Sequence, residues 1–107
     1  MKSIGIPTNK GVYEVNLQNI VRIQSISNYS KIYFADKRHP LTVAKLLHWF
    51  EEALPGDIFL RPHRTHLVNK QHITWVAIAS KTLQLSTGES IGISKRRKRW
   101  VKERLVG

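Results

Sequence analysis

The chain has 107 residues, 41% of them hydrophobic, and carries 18 Lys/Arg against 7 Asp/Glu, a formal net charge of +11. This length suits one domain, and the apolar fraction is too high for a disordered tail. No apolar stretch approaches the roughly 20 residues of a membrane-spanning helix, and we expect no secretory signal at the start of the chain. The chain contains no cysteine, which excludes thiolate zinc sites. The lack of cysteine also fits a reducing cytoplasm, which is the location we expect.

The basic excess is concentrated in the second half of the chain. Residues 1–53 contain seven Lys/Arg and four Asp/Glu, whereas residues 54–107 contain eleven and three. A solvated surface normally mixes both signs of charge, and an excess of this size attracts polyanions. The second half is therefore predicted to carry a surface that binds an anionic partner.

The first half is predicted to form strands and one helix. Residues 11–15, 19–26 and 30–35 have the β-branched or alternating composition of strands, and Ser27–Asn28 is a predicted turn. The helix is predicted over residues 43–54, with Thr42 as its N-cap and Pro55–Gly56 as its end. Its apolar stripe contains Val43, Leu46, Leu47, Phe50 and Leu54.

The second half is predicted to contain a central strand, a hairpin and a terminal helix. Residues 72–79 are apolar on both faces, which indicates a central strand with Trp75 in the core. Residues 81–86 and 90–94 flank turn residues and predict a hairpin. Residues 95–105 predict a short helix. The whole pattern is typical of a mostly β fold.

Enzymatic and metal sites find little support in the sequence. His63, His66 and His72 lack the further ligands that zinc requires, and on an extended segment the first two point to opposite faces. No Gly-x-Ser-x-Gly elbow or glycine-rich phosphate loop is present, and solvation explains Glu51–Glu52 on the polar edge of the helix. We expect no enzyme, no cofactor and no metal, and a packing or hydrogen-bonding role for the histidines.

The densest charge feature is the run Lys95–Arg99. Complementing a helix C-terminus explains two or three cations, not five consecutive ones, so a polyanion is the better partner. A membrane surface would require a larger apolar face than Trp100, Val101 and Leu105 provide. Nucleic acid is therefore the predicted partner, and no membrane.

Single-stranded and double-stranded nucleic acids require different residues. A single-strand binder needs aromatic platforms, for which Tyr29 and Tyr33 are the candidates. A duplex binder needs polar side chains that reach base edges while other donors hold phosphates. The segments 28–31, 61–69 and 94–99 provide such side chains.

Four blocks of the chain, in order, resemble the LytTR family of DNA-binding domains: NIVRIQSISNYSKIYF, LTVAKLLHWFEEAL, FLRPHRTHLVNKQHI and LSTGESIGISKRRKRW. The resemblance covers about residues 11–102, and the third block is its most specific part. It implies elongated antiparallel β-sheets in a LytTR-like β-β-β sandwich, with one helix over about residues 43–54 and a short C-terminal helix. Single-residue departures from the family pattern occur at Pro62, Thr65, His66 and Lys95.

The resemblance also implies which residues contact DNA. Carried over residue by residue, base contacts fall at Tyr29, Ser30, Arg64 and Arg96. Contacts to the DNA backbone are assigned to the polar and basic side chains around them: Lys31, Arg61, His63, Thr65, His66, Asn69, Lys95, Arg97, Lys98 and Arg99. Of these, Asn69 is expected to be mainly structural.

The function implied is that of a bacterial-type transcriptional regulator that binds double-stranded DNA sequence-specifically, with loops in successive major grooves. The resemblance further implies the output domain of a response regulator in a two-component system, and family habit suggests repeated sites and a homodimer on DNA. Residues 1–107 would form this single domain, without a receiver domain, either as a stand-alone regulator or as an excised part. The alternatives are an RNA-binding basic β module and a histidine-based metal or signalling module.

Overall fold

The computed structural model describes residues 2–105, and their strands form three antiparallel sheets. A two-stranded sheet pairs β1 (Ser3–Thr8) with β2 (Gly11–Asn16). A five-stranded sheet has the order β5-β4-β3-β7-β6, made of β3 (Ile20–Ile26), β4 (Tyr29–Phe34), β5 (Leu41–Val43), β6 (Phe59–His63) and β7 (His66–Asn69). A three-stranded sheet has the order β10-β9-β8, made of β8 (Ile73–Ala77), β9 (Thr82–Leu85) and β10 (Ser90–Gly92).

Two helices and three short 3-10 turns make up the other regular elements of residues 2–105. Helix α1 (Leu47–Ala53) lies between β5 and β6, and helix α2 (Lys98–Leu105) follows β10. The 3-10 turns are Leu17–Asn19, Lys70–His72 and Lys95–Arg97. The predicted single domain of residues 1–107 includes positions 1, 106 and 107, which lie outside the described residues.

The five-stranded sheet is the middle layer, and each of its faces covers a separate apolar core. One face packs on α1 and the two-stranded sheet, through residues that include Ile6, Ile23 and Phe50. The other face packs on α2 and the three-stranded sheet, through residues that include Val68, Leu83 and Val101. The molecule measures 43 × 25 × 23 Å. The predicted elongated β-β-β sandwich with one amphipathic helix and a short C-terminal helix is confirmed.

Helix α1 begins later than the sequence predicted. Thr42 and Val43 pair with β4 as the edge strand β5, so Thr42 cannot be the N-cap. Leu46 takes the N-cap position without a side-chain cap and is 59% exposed, so it does not belong to the buried stripe. The apolar periodicity extended too far because a buried Val43 satisfies a strand as well as a helix.

One further strand prediction needs correction, and one strand was not predicted. Strand β8 is an edge strand, since β9 occupies the centre of its sheet, and Trp75 is 62% exposed on the outer side. Strand β1 was not predicted, because only Ile4 and Ile6 mark its buried face. The predicted strands over 11–15, 19–26 and 30–35 are confirmed, as are the β9–β10 hairpin and the terminal helix.

Asn69 is a buried amide that joins three parts of the chain. Its Nδ2 donates to the carbonyls of Leu17 (3.1 Å) and Ile20 (2.9 Å), and its Oδ1 accepts from the Gln71 N–H (2.8 Å). Asn16 caps another 3-10 turn in the same way, by accepting from the Gln18 N–H, but is exposed. Each residue therefore caps a 3-10 turn, but only Asn69 also donates buried hydrogen bonds.

We expect Asn69→Ala to lower the free energy of unfolding by about 2–4 kcal/mol. The substitution removes the hydrogen-bond donor of two buried carbonyls and also the cap of the 3-10 turn. Asn16→Ala, which removes only a cap, should cost about 1 kcal/mol. Urea unfolding of the two variants measures the difference, and equal losses would contradict the structural role assigned to Asn69.

Candidate nucleic-acid interface

Two tight turns lie at the same end of the five-stranded sheet. Ser27–Asn28 joins β3 to β4, and Ser27 adopts a φ of 55°, a conformation that such turns require. Arg64–Thr65 joins β6 to β7, between the paired residues His63 and His66. The Ser25 N–H donates to the Thr65 carbonyl (2.9 Å), which fixes the second turn beside the end of β3.

A third segment continues the row beyond β6. The Ser94 N–H donates to the Pro62 carbonyl (2.9 Å), and Nη1 of Arg97 donates to the Arg61 carbonyl (3.1 Å). The Arg97 guanidinium also lies 5.1 Å from the ring centre of Trp100. These contacts hold the Lys95–Arg97 turn next to the β6–β7 hairpin.

We call the row formed by residues 27–31, 61–66 and 94–99 the basic edge. It contains eight Lys/Arg and no Asp/Glu. The three segments overlap those predicted from the sequence, 28–31, 61–69 and 94–99, and the fold brings them together although the first and last lie more than 60 residues apart. Repulsion among these cations makes the edge a surface that favours a polyanion.

Several side chains of the basic edge point into solvent. Tyr29 is 51% exposed, and Arg64, Lys95, Arg96 and Arg99 are also exposed. Within residues 2–105 the side chains of Arg64 and Arg96 make no hydrogen bond or ion pair. Both line one open groove of about 650 Å³, with walls formed by Arg61, His63, Ser94, Arg97 and Trp100.

The other cations of the basic edge differ in the contacts that their side chains make within the molecule. Lys31 is half-buried, with its ammonium 5.5 Å from the ring centre of Tyr33. Lys98 is half-buried at the start of α2, and Arg99 lies 3.4 Å from Glu103 in an exposed pair. An exposed pair of this kind contributes little and leaves Arg99 able to exchange partners.

Arg61 and Arg97 point inward, although the sequence assigned both to the DNA backbone. Nη1 of Arg61 donates to Oε1 of Glu51 (3.0 Å), and Nη2 donates to the Arg64 carbonyl (2.7 Å). Arg97 is held by the Arg61 carbonyl and Trp100. Both guanidinium groups are therefore used to build the edge.

Two predicted contact residues are fully buried, and these assignments are corrected. The Ser30 hydroxyl donates to the Lys45 carbonyl (2.6 Å) beneath the sheet surface, so Ser30 presents nothing to a base. Asn69 lies in the interior with its amide bonded as described above, so it presents nothing to a phosphate. Alternation along β4 leaves Tyr29, rather than Ser30, on the surface.

His63, Thr65 and His66 form a hydrogen-bonded chain inside the turn. The Thr65 N–H donates to Nδ1 of His63 (3.2 Å), so this nitrogen carries a lone pair, to which the Thr65 hydroxyl also donates (2.8 Å). The hydroxyl oxygen is then left to accept from Nδ1 of His66 (3.0 Å). The network thus assigns the proton of His66 to Nδ1 and braces the turn.

His66 is held in its neutral form. Burial lowers the pKa of His66 from its ordinary 6.5 to about 4, and the charges of Arg22 and His63 act in the same direction, against a smaller opposite effect of Glu89. His66 therefore adds no charge to the basic edge near neutral pH.

A buried arginine, Arg22, lies behind the turns and was not predicted from the sequence. Nε and Nη2 of Arg22 donate to Oε2 of Glu89 (3.1 and 2.6 Å), and its guanidinium lies 3.7 Å from the ring centre of Tyr33. This hydrogen bond lowers the pKa of the Glu89 carboxyl. The pair fastens the β9–β10 turn to β3. The signal was a charge inside the strand NIVRIQSI, because a buried charge requires a partner.

The three histidines considered as metal ligands are not assembled. His72 lies beyond the other end of β7, where Nδ1 contacts the Ser86 hydroxyl (2.7 Å) and Nε2 contacts the Gln18 carbonyl (2.7 Å). Within the described residues, no group of three or more His, Cys, Asp or Glu side chains could hold a metal ion. In this same part of the chain, neither helix has the length and apolar character to cross a membrane.

Comparison with known proteins identifies the family. The sequence model of the LytTr DNA-binding domain matches residues 10–106, and the chain belongs to this family of DNA-binding domains. One similar solved structure is the LytTr DNA-binding domain of a protein from Bacillus cereus described as a methyl-accepting/DNA response regulator. It superposes with a TM-score of 0.81 at 22% identity, over 98% of this chain and 97% of that one, which supports the fold. The search of curated proteins found no match.

The depressed pKa of His66 predicts how stability depends on pH. The unfolded chain takes up a proton below about pH 6.5, whereas the folded chain does so only near pH 4, so acidification favours unfolding in this window. Between about pH 7 and about pH 5, wild type should lose about 1 kcal/mol more than His66→Asn, a value discounted for partial exposure. Asn keeps a donor near the Nδ1 position and does not titrate.

Urea unfolding at the two pH values provides the measurement. Asp36 and Glu89 have pKa values lowered from 3.8 and 4.5, so their stabilisation is lost only at more acidic pH and does not interfere. Parallel losses in wild type and His66→Asn would show that His66 is not held neutral.

Proposed function

We propose that the chain is a transcriptional regulator that reads a specific sequence in double-stranded DNA through the basic edge. One observation carries the proposal. Arg64 and Arg96 are exposed, uncommitted arginines that line the same groove, each on a turn that main-chain hydrogen bonds fix in place. Arginine is the side chain that most often reads guanine, through paired hydrogen bonds to O6 and N7 in the major groove.

The other exposed side chains of the edge have distinct roles in the proposal. Lys95, Lys98 and Arg99 neutralise phosphates on one side of the groove, and Lys31 does so on the other. Tyr29 reaches a base or a sugar from the β3–β4 turn. Thr65 and His63 hold the turn through the network described above, and His66 supports it from behind.

A duplex is favoured over a single strand because the aromatic platforms are incomplete. One face of the Tyr33 ring is covered by the Arg22 guanidinium at 3.7 Å. Trp75 is exposed, but it lies on the outer face of the three-stranded sheet, opposite the uncharged Gln84. Tyr29 then remains as the one exposed aromatic ring within the basic edge. Single-strand binders stack several successive bases on such rings.

Competition between nucleic acids tests this choice. A labelled duplex selected from a random library is challenged with the same sequence as single-stranded DNA, as RNA hairpin and as a scrambled duplex. The proposal expects the selected duplex to compete best. RNA competing better than the duplex would replace the proposal with the alternative, an RNA-binding β module.

The family resemblance supports three further parts of the proposal. They are entry of the turns into successive major grooves, binding to repeated sites with a homodimer formed on DNA, and service as the output domain of a bacterial response regulator in the cytoplasm. Each of these stays a prediction.

Arg96→Ala and Arg64→Ala should each weaken binding to the selected duplex by about 1–3 kcal/mol and relax the preference at one base pair. Lys37→Ala serves as the matched control, since Lys37 is an exposed cation in the turn at the opposite end of β4. Fluorescence anisotropy on the selected duplex and its single-base variants gives both quantities. If a substitution weakens binding to every duplex equally, that arginine contacts a phosphate and not a base.

The affinity for the selected duplex should depend moderately on salt concentration. From the sequence alone, roughly 6–10 phosphate contacts would be expected, but Arg61 and Arg97 are used inside the edge. The cations left for phosphates are Lys31, Lys95, Lys98 and Arg99, or six with Arg64 and Arg96, so about four to six contacts give a slope of roughly −4 to −5 in a plot of log K against log salt concentration. A slope of roughly −7 would show that Arg61 and Arg97 also turn outward on binding.

A further inference from the structure

We propose that Glu51 and Arg61 form a brace that positions the Arg64 turn for base recognition. Nη1 of Arg61 donates to Oε1 of Glu51 at 3.0 Å, while Nη2 donates to the Arg64 carbonyl at 2.7 Å. One guanidinium thus connects helix α1 to the tip of the β6–β7 hairpin. The inference rests on the proposed function and adds two positioning residues to it.

The carbonyl that Arg61 holds belongs to the turn itself. Arg64 and Thr65 are the two central residues between the paired His63 and His66, where the backbone has no ladder partner of its own at Arg64. Fixing the Arg64 carbonyl fixes the peptide plane that follows it. The direction in which the Arg64 side chain leaves the backbone is then set before DNA arrives, which lowers the entropic cost of recognition.

The carboxylate is needed because Arg61 stands among other cations. Arg64, Arg96 and Arg97 line the same groove. Without an anion beside it, the Arg61 guanidinium would be repelled toward solvent or toward a DNA phosphate. The side chains of Arg61 and Glu51 are 20% and 36% exposed, so their pairing is partly shielded from water. Charge-assisted hydrogen bonds of this kind are stronger than neutral ones.

The neighbouring Glu52 shows what an acid without this role looks like. Its carboxylate contacts Nε2 of His48 at 2.6 Å, on the exposed side of the helix, and its side chain is 70% exposed. From the sequence alone, solvation on the polar edge of the helix explains both acids equally well. That explanation holds for Glu52 and is wrong for Glu51.

Two alanine variants separate the brace from general electrostatics. Glu51→Ala and Glu52→Ala remove one negative charge each from adjacent positions of α1, so both should strengthen binding to a scrambled duplex slightly. Only Glu51→Ala should lower the ratio of selected-duplex to scrambled-duplex affinity, by about three- to tenfold. Glu51→Gln keeps an oxygen acceptor for Arg61 and should restore part of the ratio.

A combination with Arg64→Ala tests whether the effect passes through Arg64. If Glu51 acts by placing that side chain, Glu51→Ala should not lower the ratio further once Arg64 is already alanine, because the two effects are coupled. A merely structural role of Glu51 would give additive losses. Equal ratios for Glu51→Ala and Glu52→Ala, or a loss that persists in the Arg64→Ala background, would overturn the brace.

A measurement without DNA keeps this inference separate from the proposed function. The backbone order parameter of the Thr65 amide, from ¹⁵N relaxation, should fall in Glu51→Ala and stay at its wild-type value in Glu52→Ala. An unchanged order parameter in both variants overturns the brace, whatever the chain binds. A second outcome is that the order parameter falls as expected, but the wild-type chain binds the selected and the scrambled duplex equally well. In that case the brace is confirmed as a structural element, and the proposed sequence-specific DNA binding is wrong.

Discussion

Main-chain carbonyls at the end of the five-stranded sheet are the contacts on which the basic edge depends. The carbonyls of Pro62 and Arg61 accept from Ser94 and Arg97, and the Thr65 carbonyl accepts from Ser25. These bonds hold three turns in one row although like charges would drive them apart. The edge is thus held by hydrogen bonds to main-chain carbonyls and not by any attraction among its side chains.

The cations of the molecule divide into two groups with opposite tasks. Arg22, Arg61 and Arg97 point inward, where planar guanidinium groups donate to carboxylates or carbonyls and lie over aromatic rings. Lysine could not replace them, because it has no rigid fork of donors. Arg64 and Arg96 point outward without partners among the described residues. The first group supplies the rigidity that allows the second to act as readers of sequence, because a base contact discriminates only when its donor is held in place.

Much of this architecture follows from patterns in the sequence, and the failures share a physical origin. Hairpins, the mostly β fold and the three segments of the edge were predictable because turn residues and alternation are local signals. Side-chain direction was not. Ser30 and Asn69 lie within or next to the segments of the basic edge, but their side chains are buried. Arg61 has the sequence features of a phosphate ligand, yet its guanidinium donates to Glu51, ten residues away.

Edge strands were the other source of error. Val43 was assigned to a helix and Trp75 to the core, because an apolar residue gives no indication of whether a neighbouring strand covers it. Both depend on pairing between distant segments, which a local pattern does not encode. Pairing also decides which of two adjacent residues faces outward, and it separates Tyr29 from Ser30.

Selection of binding sites from a random duplex library is the decisive experiment for sequence recognition by the basic edge. We expect the wild-type chain to enrich a defined motif in which guanines occupy the positions read by Arg64 and Arg96. We further expect selection with Arg96→Ala to return the same motif with one of these positions randomised. Enrichment of no motif by wild type, or an identical motif for the variant, would contradict the claim that this edge reads the sequence of the duplex.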